Sequence, residues 1–102
     1  MRFLIKATIP VETGNALIRS GKIGQTIQAI LADLKPEAAY FTEEGGQRTV
    51  YVVTDIAEPS QIPAVAEPWW LAFNADVEFH AAMTAEDLGK AMSGLEQLVK
   101  KY

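Results

Sequence analysis

The chain has 102 residues, room for one domain spanning residues 1–102, and its 49% apolar and 22% charged residues suit a folded core rather than a disordered chain. Nine basic residues against thirteen acidic give a formal charge of −4 and a pI near 4.9, the wrong sign for attraction to nucleic acid or to an anionic membrane surface. The absence of cysteine removes disulfides, thiolate nucleophiles and cysteine-ligated metals or iron–sulfur clusters.

In Met1-Arg-Phe-Leu-Ile-Lys6 only three apolar residues stand between charges, short of the roughly 7–15 of a signal-peptide core. No apolar run approaches the roughly 18–20 residues of a membrane span. The expectation is a cytoplasmic protein that starts at or near Met1. Residues 2–9 are rich in β-branched and aromatic types, with Phe3, Ile5, Ala7 and Ile9 on one side and Leu4 and Lys6 on the other; this predicts a first strand ended by Pro10. From Leu17 the period becomes helical through Ile23, Ile27, Ile30, Leu31 and Leu34, closed by Pro36. Gly21 and Gly24 mark a weak place where this helix kinks or breaks. Gly21-Lys22 is not a phosphate loop, because Ala16 stands where the first glycine of that pattern belongs and Ile23 follows the lysine.

Residues 38–44 and 47–56 read as two strands joined by the turn Gly45-Gly46. That turn sets the register: Glu43 faces Arg48, Thr42 faces Thr49, Phe41 faces Val50, Tyr40 faces Tyr51 and Ala39 faces Val52. Ser60 is the expected N-cap of a second helix carrying Ile62, Val65, Ala66, Trp69 and Phe73, kinked or restarted at Pro68, which frees the carbonyl of Ala64. Residues 76–82 alternate as a fourth strand with Val77, Phe79 and Ala81 opposite Glu78 and His80. Thr84-Ala-Glu-Asp87 resembles a capping box, and Leu88, Ala91, Met92, Leu95, Leu98, Val99 and Tyr102 make the stripe of a last helix.

The order β-α-β-β-α-β-α is α+β: a ferredoxin-like antiparallel sheet with two helices on one face and an extra C-terminal helix. Phe3, Ile5, Ala7, Phe41, Val50, Val52, Val77 and Phe79 then face the helices. Leu4, Lys6, Tyr40, Tyr51, Val53, Asp55, Glu78 and His80 share the back. A back face that mixes aromatics, aliphatics and single charges suits burial against the same face of a second copy, so a homodimer is expected.

The order of elements resembles the dimeric α/β-barrel superfamily, in which two ferredoxin-like subunits pack sheet against sheet; it includes cofactor-independent monooxygenases, muconolactone isomerases and haem-degrading enzymes. More narrowly, Lys35-Pro-Glu-Ala-Ala-Tyr-Phe41, the stretch from Asp55 to Pro63, Glu67-Pro68, Phe73-Asn-Ala75 and Met83-Thr-Ala-Glu-Asp-Leu88 are similar to a family of stand-alone bacterial proteins of unknown function in that superfamily.

His80, the single histidine, is the candidate general base, with Tyr51 or Asp55 positioning a substrate. The plainer reading is a histidine hydrogen-bonded across a dimer interface. Tyr40, Trp69, Trp70, Asn74 and Arg48 are candidates for contact with a small, partly apolar organic ligand. Against each stands a structural role: a cross-strand tyrosine pair, a buried Trp69, a second apolar contact at Trp70 and a surface pair of Arg48 with Glu43. No spacing supports a protein-only metal site, and no cofactor is called for. Three readings follow: a homodimer that binds or transforms a small organic compound by proton transfer or cofactor-independent oxygenation, a non-catalytic binding or assembly module, and, from the resemblance, haem held by His80.

Overall fold

In the computed structural model, which describes residues 1–102, the first alternating stretch forms β1 (Arg2–Ile9). Ile5, Ala7 and Ile9 are buried, as period-two alternation requires of a strand with one covered face. The chain turns directly into α1 (Val11–Arg19) behind Pro10, whose φ of −56° suits entry to a helix. The first helix thus begins well before Leu17. Its opening turns carry Glu12, Thr13, Gly14 and Asn15 and so show little apolar periodicity.

The weak place is a true break. Gly21 takes φ +73°, its amide bonds to Ile18 O and that of Lys22 to Leu17 O, both at 3.0 Å; this pair of bonds is the Schellman ending of a helix, which requires a left-handed residue. A separate α2 (Ile23–Leu34) follows and ends on Lys35, also left-handed at φ 47°. Next come β2 (Ala38–Glu44) and β3 (Gln47–Asp55), joined through Gly45 (φ 60°) and Gly46 (φ 81°). The pairing from Glu43 with Arg48 to Ala39 with Val52 is the one the turn dictates.

A short 3-10 turn, Pro59–Gln61, leads into α3 (Ile62–Phe73). The cap here is Glu58, paired reciprocally with Gln61; Ser60 lies inside the turn and caps nothing. Helix α3 also runs through Pro68 without restarting. Ala64 is exposed, so the carbonyl that Pro68 leaves free meets water and needs no protein partner. Val65, Ala66, Trp69 and Phe73 are buried, with the Trp69 and Phe73 rings stacked at 5.9 Å. Strand β4 (Asp76–Ala81) and helix α4 (Ala85–Lys101) complete the chain.

The fold is α+β, a four-stranded antiparallel sheet in the order β2-β3-β1-β4 with four α-helices, and is compatible with a ferredoxin-like arrangement. Ile5, Ala7, Val50 and Val52 from the sheet meet Ile30 of α2 and Val65, Trp69 and Phe73 of α3 in one apolar cluster. Phe41, expected in this layer, is exposed, because β2 is an edge strand that the helices do not fully cover. Helix α4 has no buried residue, and its stripe lies outside the apolar cluster. The radius of gyration is 17.0 Å and the longest dimension 59 Å, against about 13 Å for the radius of a compact chain of this length.

Phe73→Ala should lower stability by about 3–5 kcal/mol, since it empties a stacked, fully buried site. Urea unfolding measures this, and a loss below about 1 kcal/mol would show that Trp69 and Phe73 are not the centre of the core.

Candidate functional site

The strand registers draw straight rows across the back of the sheet. One runs Tyr40, Tyr51, Lys6, Glu78 through all four strands, and the next runs Ala38, Val53, Leu4, His80. No helix covers these rows. Within them Lys6 pairs with Glu44 and lies 3.5 Å from Glu78 Oε2, the Tyr51 hydroxyl donates to Glu44 Oε1, and His80 Nε2 stands 3.6 Å from Glu78 Oε1. One ammonium thus ties two carboxylates, and each carboxylate reaches a further side chain, the phenol on one flank and the imidazole on the other. The imidazole of His80 thus lies just beyond hydrogen-bond distance of a carboxylate, on the same face as the Tyr51 phenol but two strands from it.

Asp55 is at the end of this face rather than in the cluster. Its carboxylate takes the Met1 amino group at 3.0 Å. Beside it Arg2 donates through Nε to both oxygens of Glu37, at 3.0 and 3.1 Å, and lies 4.0 Å from Asp87 Oδ2. Arg2, Asp55, Met83 and Asp87 line an open depression of about 640 Å³ at this rim. The Glu37 hydrogen bond, with the Glu37 charge behind it, raises the Arg2 pKa further. Asp87 is held below the usual carboxylate range first by the Thr84 backbone amide and then by its side chain. That amide lies 3.0 Å from Asp87 Oδ2, and the Asp87 amide donates in return to Thr84 Oγ1 at 3.1 Å, so the expected capping box is present.

The remaining candidates sit elsewhere. Trp69 has 0% exposure and belongs to the core, with its indole Nε1 lacking a hydrogen-bond partner. Trp70, 42% exposed, is on α3 and so on the other side of the sheet from His80. Asn74 ends α3 in the left-handed region at φ 51°, and its Nδ2 reaches Thr13 Oγ1 at 3.4 Å. Arg48 is opposite Glu43 in register but makes no pair with it. Its Nη2 donates to Asn15 Oδ1 at 3.1 Å, and it lies so close over α1 that a Cβ at Gly14 would come within 2.6 Å of Nη1. Glu43 instead accepts the Gly46 amide at 3.0 Å. Beside Arg48 an apolar cleft of about 190 Å³ opens between Ile23, Ile27 and the exposed Phe41.

His80, Tyr51 and Tyr40 therefore share a face, Asp55 marks its end, and Trp69, Trp70, Asn74 and Arg48 belong to other surroundings. None of the four surface depressions is lined by His80, Tyr51 or either tryptophan. Two participants escaped the sequence reading, Glu44 and Arg2. Both have the parity of the back face, Glu44 with Tyr40 and Arg2 with Leu4 and Lys6, and that parity was the available signal. No group of three or more His, Asp or Glu side chains is placed to hold a metal, and no helix is long and apolar enough to cross a membrane. No known family model, curated protein or solved structure matches the chain.

The capping box gives a pH test with a defined sign. A carboxyl whose folded-state pKa is depressed contributes its full stabilisation above the ordinary aspartate range and loses it as pH falls through the folded value. The Thr84 amide should thus exchange faster with solvent as pH drops below that range, relative to the intrinsic rate, and should do so already at neutral pH in Asp87→Ala. Protection by hydrogen-exchange NMR that stays level into strong acid would contradict this capping.

Proposed function

We propose that the chain works as a homodimer joined through the back face of the sheet, in the manner of the dimeric α/β-barrel proteins it resembles. The observation that carries the reading is the uncovered row Tyr40, Tyr51, Lys6, Glu78 with Leu4 and Val53 beside it. Leu4, Val53 and Tyr51 are part-buried and Tyr40 is exposed, and Lys6, the one cation of the row, is already paired with Glu44 and Glu78. Such a face buries no lone cation, although one carboxylate stays in excess in each chain, and its apolar atoms contribute roughly 25 cal/mol per Å² removed from water.

Facing a second copy, the cluster changes character. In the single chain His80 and Glu78 are each about half exposed, at 53% of their side chains, and water competes for every proton. Between two sheets, His80 as base, Glu78 as its orienting carboxylate and Tyr51 as a donor would meet a small, partly apolar organic compound in a drier setting, where hydrogen bonds and charge act more strongly. The proposal therefore makes dimerisation the condition of any chemistry on this face.

Tyr51→Asp tests it. The substitution sets a third carboxylate beside Glu44 and Glu78 and removes an aromatic from the centre of the contact. The expected outcome is a tenfold or greater weakening of self-association by sedimentation velocity, with Tyr51→Phe close to the parent. Equal association of Tyr51→Asp and the parent would place the contact elsewhere.

A further inference from the structure

Helix α4 is the one element without a partner. Along its seam Leu88, Met92, Leu95, Leu98, Val99 and Tyr102 expose between 44% and 92% of their surface. A helix of 17 residues with no tertiary packing is marginal in water, so its sequence, with an intact capping box and a continuous apolar stripe, is that of a helix that packs on something. We propose that α4 pairs antiparallel with α4 of a second copy, as a contact separate from the sheet face.

The charges choose this occupant. The first turn of α4 is acidic, with Glu86 and Asp87, and the last is basic, with Lys100 and Lys101. Turning a second α4 end for end about the point between Ser93 and Gly94 lays the acidic first turn of each helix along the basic last turn of the other, with Glu86 level with Lys101 and Asp87 level with Lys100 at both ends of the pair. The same operation brings Leu88 against Val99 and Met92 against Leu95 along the seam, and Ala85 against Tyr102. A parallel pair would instead stack acid on acid and base on base. It would also align the two helix dipoles, which the antiparallel pair opposes. A lipid surface fits less well: α4 holds three acidic residues (Glu86, Asp87, Glu96) against three basic (Lys90, Lys100, Lys101), and a helix without net charge on a chain of charge −4 gains nothing from anionic lipid.

The absence of native cysteine makes the register directly testable. Full-length Leu88→Cys and Val99→Cys chains, distinguishable by a tag, are mixed and oxidised. In the antiparallel pair these positions meet, while each is far from its own copy, about a dozen residues along the helix at 1.5 Å each. The expected product is the mixed disulfide, at least tenfold over either homodimer, and it should fall at least tenfold when both chains also carry Leu95→Asp. A Leu88→Cys homodimer as main product would show parallel pairing and overturn the proposal. Failure of the mixed disulfide, with the urea transition of the body unchanged in both chains, would show that α4 packs on the body of a chain or on nothing, and would overturn it equally. Binding of α4 to anionic vesicles in place of cross-linking would do the same.

Discussion

Three of the four helices lie against the sheet and they lie on one face, so every strand must alternate between a dry side and a side that no part of its own chain covers. The inner side shows the consequence plainly: Ile5, Ala7, Val50 and Val52 close on Ile30, Val65, Trp69 and Phe73. The outer side answers the same constraint differently. It keeps enough apolar surface in Leu4, Val53, Tyr40 and Tyr51 to be worth covering. Its charges are gathered rather than scattered, with Lys6 between Glu44 and Glu78 and His80 3.6 Å from Glu78. Both the proposed pairing of two sheets and the chemistry proposed for His80 and Tyr51 depend on this outer side.

Much of this was legible in the chain because short-range rules wrote it. Two glycines between alternating stretches allow one hairpin register, and parity then assigns each residue of the strands to a face; Tyr40 opposite Tyr51 and Phe41 opposite Val50 follow from that alone. The Thr84 and Asp87 cap is likewise local. What was missed depended on tertiary placement. The start of α1 at Val11 has no apolar period to announce it, since Gly14 is small in order to admit the Arg48 side chain. Pro68 was read as a kink or a restart because it frees the Ala64 carbonyl; with Ala64 on the exposed side, α3 continues through it without restarting. Arg48 reaches Asn15 in the middle of α1 rather than Glu43, a helix whose place over the hairpin the register cannot show, while Glu43 is taken by the Gly46 amide.

The candidate site divides along the same line. His80, Tyr51 and Tyr40 were gathered by parity and the sheet keeps them together. Trp69, Trp70, Asn74 and Arg48 were gathered by residue type and by nearness to a proline, and the fold disperses them: Trp69 to the core, Asn74 to the end of α3, Arg48 to α1. Two uncovered apolar features remain, the back of the sheet and the stripe of α4, and both fit a second copy of the same chain. The single chain is long, 59 by 28 by 20 Å, and α4 contributes no buried residue to it.

The most direct measurement of that claim is the mass of the unmodified protein in solution, by sedimentation equilibrium over a wide range of concentration. The account predicts a particle of at least twice the 11.2 kDa chain mass, dissociating only on dilution. A mass of one chain at every concentration would contradict it.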